Sequence, residues 1–362
     1  MTVRPYNPQN APDDPDALKV HRDQEARAVQ QSIKSAKDTT DKLISDATAL
    51  TTRVTTAEGN ITTLNGQMTT ANTNIGTLQT TVGELSGRNR IINGDFRVDQ
   101  RFSYALGSVA TASTYLCDRW YGSATGATTN FQIVTVSGQK RFQWTGIAGN
   151  TGTVLAQRIE VLNSADLAGK SVTIQVKASA VGVTSLGWSL AYATAADNFA
   201  SVTAISSGSW TINSTEALYT ATVSVPSAAI TGLQLSLTTG AIVASQSVAF
   251  GDVQLEYGTI ATQYERLMVQ QQMQLCQRYY QQDTVYSVWP SPNTGGYSMS
   301  FDRTFKTTMR AIPTITRSYP TYSNVTAFGL YYTSVHAFAD YCQATAAGGT
   351  SFTLVYTASA EL

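Results

Sequence analysis

Recognition of a sugar uses flat aromatic faces that stack on pyranose rings, with neutral polar side chains for the hydroxyls. One stretch of this 362-residue sequence gathers that mixture: Trp289, Asn293, Tyr297, Tyr319, Tyr322, Asn324, Tyr331 and Tyr332. Trp289, Asn293, Tyr297, Tyr322, Tyr331 and Tyr332 are the candidate carbohydrate contacts. Trp188 and Trp210, in an earlier β stretch with Trp144, join them as candidates for lining a concave face. Trp120, inside Asp118-Arg119-Trp120, reads as core.

Bond-breaking chemistry has weaker footing. Glycoside hydrolysis needs two carboxylates several ångströms apart. Asp118, Glu160, Asp166, Asp197, Glu216, Asp302 and Asp340 are available, but nothing in the sequence clusters them. Asp118 and Glu160 stand near Arg119 and Arg158, where ion pairing is expected. His336, between Val335 and Ala337, reads as a sheet residue, and no Ser-His-Asp or Cys-His arrangement forms around it. Cys117, Cys276 and Cys342 are odd in number and widely spaced, without disulfide or metal-ligand spacing. The expectation is a protein that binds and is not an enzyme.

The elements that would present these residues begin with a heptad seam. It reads Ala26, Val29, Ile33, Ala36, Thr40, Leu43, Ala47, Leu50, Val54, Ala57, Ile61, Leu64, Met68, Ala71, Ile75, Leu78, Val82 and Leu85. Alternating steps of three and four predict a left-handed coiled coil, and so an oligomer. Only Thr40 interrupts the apolar series. β-branched residues at a (Ile33, Val54, Ile61, Ile75, Val82) with Leu or Ala at d lean toward dimers. Against this, Arg53 at g and Glu58 at the following e flank Val54 and Ala57 in a pattern that resembles a trimerisation motif. A parallel homotrimer is the expectation, held by Arg53, Val54, Ala57, Glu58, Ile61, Leu64, Ile75 and Leu78. Its outer positions are rich in Thr, Asn and Gly, which cost a few tenths to about 1 kcal/mol each relative to Ala. Association must therefore stabilise the helix, roughly 90 Å long for about 60 residues.

The composition is neutral: 24 basic and 24 acidic residues, with charged residues only 13% of the chain. No basic patch suggests nucleic acid. No apolar stretch suggests a signal peptide or membrane insertion. The expected setting is assembly in a host cytoplasm. Residues 1–25, with Pro5, Pro8, Pro12 and Pro15, read as an attachment peptide, and 26–87 as the coiled-coil shaft ending at Gly87. From Arg88 the pattern is all-β, as in Ser171-Val172-Thr173-Ile174-Gln175-Val176-Lys177, with Gly-bearing turns typical of an antiparallel sandwich. Residues 88–263 form this sandwich and 264–282 a connector helix carrying Tyr264, Met268, Leu275 and Tyr279. Residues 283–362 form a smaller β domain. The fold class is a coiled coil followed by all-β domains.

Several motifs in order carry a resemblance: Asn89-Arg90-Ile91-Ile92-Asn93-Gly94-Asp95-Phe96, Cys117-Asp118-Arg119-Trp120, Gly251-Asp252-Val253-Gln254-Leu255-Glu256-Tyr257-Gly258, Tyr264-Glu265-Arg266 and Leu275-Cys276-Gln277-Arg278-Tyr279-Tyr280. They resemble the distal part of phage tail-fibre and related virion-fibre proteins. Asn93-Gly94-Asp95-Phe96 and Asp252-Val253-Gln254-Leu255 are also similar to the first and last strands of carbohydrate-binding jelly-roll modules. The resemblance implies a virion protein that adheres to a bacterial surface glycan and is joined to other virion proteins through its N-terminus. A depolymerising fibre, and a head fibre or non-binding decoration, are the alternatives. No cofactor is implied beyond a structural calcium at Asp95 and Asp252, although two carboxylates are few for an ion wanting six to eight oxygens.

Overall fold

The computed structural model describes residues 15–82, 87–109, 111–291 and 296–362. They fall into two compact units, Met1–Leu85 and Ser86–Leu362. The attachment peptide proposed at the start lies outside the described residues as far as residue 14.

In the first unit a single helix, α1 (Pro15–Val82), carries the whole described seam. Pro15 suits a first helical position and Asp16 stands in the first turn, where acidic charge is favoured. The helix thus begins inside the segment assigned to the attachment peptide, and 83–86, before the expected cap at Gly87, are outside the described residues. Val29, Ile33, Leu43, Leu50, Val54, Ile61, Leu64, Met68 and Ile75 are 49–64% exposed in the single chain. For Leu78 the backbone alone is described. Among the described residues no ion pair engages Arg53 or Glu58; the pairs on α1 are His21–Glu25 and Lys42–Asp46.

The threonines of α1 have a specific local role. Among the described side chains, twelve threonines donate their hydroxyl to the carbonyl four residues back, at 2.9–3.1 Å. Each hydroxyl is satisfied within its own helix, leaving the methyl outward. Thr40, the polar interruption of the seam, does this to Ala36 O at 2.9 Å and presents a surface close to that of valine.

The second unit opens with strands β1 (Gly107–Val109), β2 (Thr114–Cys117), β3 (Trp120–Thr125), β4 (Thr129–Val136), β5 (Gln139–Thr145) and β6 (Gly152–Ile159). It continues with β7 (Ser171–Val181), β8 (Ser185–Ala195), β9 (Asn198–Thr211), β10 (Ala217–Ser224), β11 (Leu233–Thr239) and β12 (Ser247–Tyr257). They make two six-stranded antiparallel sheets, β1-β4-β5-β12-β7-β10 and β2-β3-β6-β11-β8-β9. Between them lies a core centred on Phe96, Trp120, Phe131, Phe142, Trp144 and Phe250. Alternation places it: Phe131, Ile133, Phe142 and Trp144 point inward from neighbouring strands while Gln132 and Gln143 point away.

The connector is shorter than its periodicity predicts. Helix α2 spans Val269–Gln277, with Met268 at its N-cap and Tyr264 before it. Cys276 and Gln272 are buried while Met268 is 76% exposed, so Met268 belongs to an uncovered side. Strand pairing takes over at Tyr280, because β13 (Tyr280–Ser291) pairs along its whole length with β18 (Gly348–Ser359).

The remaining strands are β14 (Ser298–Thr304), β15 (Thr314–Ser323), β16 (Val325–Thr333) and β17 (Ala337–Ala344). Two three-stranded sheets result, β13-β18-β15 and β14-β17-β16, around Trp289, Phe338, Phe352, Leu354 and Tyr356. These C-terminal sheets share one compact unit with the sandwich. Glu361 is held by Arg101 at 2.9 Å and by Arg119, and Arg310 donates to Ala360 O at 3.0 Å. Among the described residues no helix is long and apolar enough to cross a membrane.

Candidate functional site

The outward face of the sheet β14-β17-β16 combines flat aromatic rings with neutral polar groups. In β14, Ser298, Ser300 and Asp302 alternate outward while Met299, Phe301 and Arg303 turn toward the core side. In β17, Tyr341 and Gln343 share the face of Ala339. Ser300 pairs with Tyr341, and Asp302 with Ala339. On the other side Gly329 pairs with Tyr341, and Tyr332 with Ala339.

Two tyrosine rings therefore lie on adjacent rows. The Tyr332 hydroxyl donates to Asp302 Oδ1 at 3.1 Å, reaching from β16 across β17 to β14. Beneath this span Ala339 is only 1% exposed, although it stands on the outward face. In the next row Tyr341 leans over Gly329, where an added Cβ would overlap its ring. Glycine at 329 is what lets that ring lie down. Register shifts in β16, between Thr326 and Phe328 and between Leu330 and Tyr332, explain why adjacent Tyr331 and Tyr332 are both outward, at 74% and 41% exposure. Local desolvation, then the hydrogen bond to Asp302, hold the Tyr332 hydroxyl above the ordinary phenol range, so it stays a donor.

This arrangement offers two phenol faces, a carboxylate, an amide from Gln343 and a hydroxyl from Ser300, on a surface without a cation. It can stack a sugar ring and hydrogen-bond its hydroxyls. It holds no second carboxylate for hydrolysis.

The other candidate sugar contacts scatter. Trp289 is 5% exposed, its ring 5.1 Å from Phe301 and 5.8 Å from Phe352, so it is core and offers no face to a ligand. Tyr297 packs on the same core. Tyr322 is exposed on β15, its ring edge-on to Phe328 at 5.6 Å. Asn293 lies outside the described residues. Trp188 is buried, 6.0 Å from Trp210, which in turn is 6.3 Å from Tyr219. The Trp210 Nε1–H donates to Thr220 O at 2.9 Å, tying β9 of one sheet to β10 of the other. That pair closes an edge of the sandwich. The face also uses residues that were not among the candidate sugar contacts, namely Tyr341, Ser300, Gln343 and Asp302, the last named only as an available carboxylate. The polar alternation in Ser298-x-Ser300-x-Asp302 was the available signal.

Asp95 and Asp252 do meet, but around guanidinium groups. Arg266 donates to Asp252 Oδ1 at 2.9 Å and to Asp95 Oδ2 at 3.2 Å. Arg97 adds a bond to Asp95, and Arg141 reaches Asp252 at 3.2 Å while also holding Glu216. A cation would have to displace or repel three arginines, so the donor set does not fit calcium as arranged. Among the described residues no group of three His, Cys, Asp or Glu side chains could hold a metal.

The motif residues form a structural joint. Asn93, at φ +58°, donates from Nδ2 to Val98 O at 2.7 Å, and its own carbonyl accepts the Trp120 Nε1–H at 3.0 Å. Asp118 accepts both the backbone N–H and the side-chain amide of Gln100, and burial pushes its carboxyl up to about 6. Arg119 lies 3.5 Å from the Tyr279 ring centroid and binds Glu361 rather than adjacent Asp118. Glu160 pairs with Arg278 at 3.0 Å, not with neighbouring Arg158.

No protein-family model and no curated protein matches the chain. Parts of it are similar to solved structures. One is the enzymatically active domain of tailspike protein 4 of bacteriophage CBA120, 14% identical over 47% of this chain and 22% of that one, at a TM-score of 0.30. Another is TmCBM61 in complex with β-1,4-galactotriose, 9% identical over 47% and 99%, at 0.31. A third is the N-terminal cellulose-binding domain of Cellulomonas fimi β-1,4-glucanase C, 16% identical over 39% and 90%, at 0.27. Likenesses this slight say nothing of ligand or role. The chain is one long helix followed by β-sheets, the first two forming a sandwich.

Proposed function

We propose that this chain is a homotrimeric virion fibre protein that adheres to polysaccharide on a bacterial surface, without cleaving it. The observation that carries the binding role is the outward face of β14-β17-β16, where Tyr332 and Tyr341 lie flat beside Asp302, Ser300 and Gln343. The exposed seam of α1 supports the oligomer, since one helix alone leaves nine large apolar side chains half or more in water, or close to it. The ordered motifs from Asn89 to Tyr280, with their resemblance to fibre proteins, support the virion role. Each copy brings one weak site, and three on one fibre raise avidity where the geometry allows simultaneous engagement. The N-terminal segment would join the fibre to the particle.

The test is binding of the full chain to an array of bacterial surface polysaccharides and to whole cells. Retained binding with unchanged polymer length supports an adhesin. Shortened polymer would make it a depolymerase, and no binding to any glycan or cell would leave a spacer or decoration.

A further inference from the structure

Asp302 stands apart from the other carboxylates of the second unit. Among the described residues there, each of the others is engaged by a guanidinium, a lysine ammonium or a backbone N–H. Asp302 is exposed, and its side chain accepts only from the neutral Tyr332 hydroxyl, at 3.1 Å on Oδ1. The basic residues nearest to it along the chain are committed elsewhere. Arg303 turns to the core side and binds Asp340 at 3.0 Å and Ser287 at 2.7 Å, while Lys306 pairs with Asp283 at 3.1 Å. Strands β16 and β17 contain no basic residue. The outward face of β14-β17-β16 therefore carries one negative charge that the protein leaves uncompensated, with Oδ2 open to a ligand.

Resting on the reading of this face as the glycan site, we propose that it selects amino sugars bearing a free ammonium group, with Asp302 as the counter-ion. The rings around the carboxylate favour the same sign. Tyr331, 74% exposed, stands at 75° to Tyr332 with the ring centroids 6.4 Å apart, a wall beside a floor. The faces of such rings are negative and attract a cation. Ser300 and Gln343 suffice for the hydroxyls of a neutral sugar, so the carboxylate adds what only a charged ligand uses. An N-acetylated sugar has the same ring but sets no charge against Asp302. A uronic acid or a phosphorylated sugar brings a second negative charge to a face with no guanidinium to receive it. Asp302 is in contact with water, so the gain from an ammonium group is about tenfold, and salt weakens it.

The experiment uses the full chain at mildly acidic pH and low salt, with a β-1,4-linked glucosamine oligomer and its fully N-acetylated counterpart of equal length as probes. The expected result is binding of the free-amine oligomer about tenfold more tightly than of the acetylated one. Added salt, or a pH at which the amines are neutral, should close the gap. Asp302→Asn should bring the ratio of the two affinities near one, whatever its absolute affinity, with a thermal melt to show that the variant is folded. Equal binding of both oligomers by the parent would overturn the charge selection, and so would a preference that Asp302→Asn retains. Binding to neutral or acidic polymers on the polysaccharide array without that preference would overturn it too, while leaving the glycan reading standing. No binding to any polymer would remove the glycan reading itself, and this proposal with it.

Discussion

The Tyr332 hydroxyl donates to Asp302 Oδ1 at 3.1 Å, across a strand that contributes only Ala339 between them. A small residue in the middle strand thus lets a ring from one edge strand lie flat and find its partner on the other. One row away the roles reverse, and Gly329 on edge strand β16 gives room to Tyr341 of the middle strand.

Gly329→Ala should lift the Tyr341 ring off the sheet and weaken polysaccharide binding several-fold. The fold should survive, because the displaced ring can turn into solvent. Equilibrium binding beside a thermal melt checks both halves.

Assembly should fail when the seam is charged. Val54 and Ile61 are exposed in the single chain, and replacing both by Asp should give a species near the 38.8 kDa of one chain, against three chains for the parent. Light scattering reads the difference. The converse, Thr40→Val, removes a hydroxyl already bonded to Ala36 O and should leave assembly intact or slightly firmer, within about 1 kcal/mol.

Calcium should be irrelevant to stability. With Arg266 bridging Asp95 and Asp252, neither chelator nor added calcium should move the melting temperature. Arg266→Met should cost about 1–3 kcal/mol, since it strips one partner from two buried carboxylates that keep Arg97 and Arg141. A calcium-dependent melt would reverse the assignment.

Asp118 sets a pH dependence of its own. Burial raises its carboxyl from the ordinary 3.8 to about 6 in the folded state, so the folded protein binds that proton more tightly than the unfolded chain. Its contribution to stability is full below pH 4 and is lost as pH rises through about 6. Lowering the pH from 7.5 to 5.5 should therefore raise the melting temperature of the second unit. In Asp118→Asn that rise should shrink, whatever the variant's absolute stability.

The β alternation of the sandwich and the helical seam were legible because each repeats one rule over many residues. Ser171 to Lys177 and the run from Ala26 to Leu85 needed no distant partner to be read. The connector was overextended because Tyr264, Met268, Leu275 and Tyr279 mimic a helical stripe, while Tyr280 onward is claimed by pairing with β18, about 70 residues away in sequence. Aromatic type alone did not separate Trp289, closed in by Phe301 and Phe352, from Tyr332, lying on the surface. The register shifts of β16 that expose Tyr331 and Tyr332 depend on its pairing with β17 and leave no mark in the local pattern. The motif charges illustrate the same limit, since Arg119 passes over adjacent Asp118 for Glu361, and Glu160 passes over neighbouring Arg158 for Arg278.

The most direct test compares the parent chain with Tyr332→Ala for binding to a surface polysaccharide that the parent recognises, with trimer mass and melting temperature measured alongside. Loss of one stacking ring and its link to Asp302 should weaken each site about tenfold, near 1.4 kcal/mol, with a larger loss on whole cells where three sites act together. Undiminished binding by a correctly assembled Tyr332→Ala protein would contradict the assignment of this face as the glycan site.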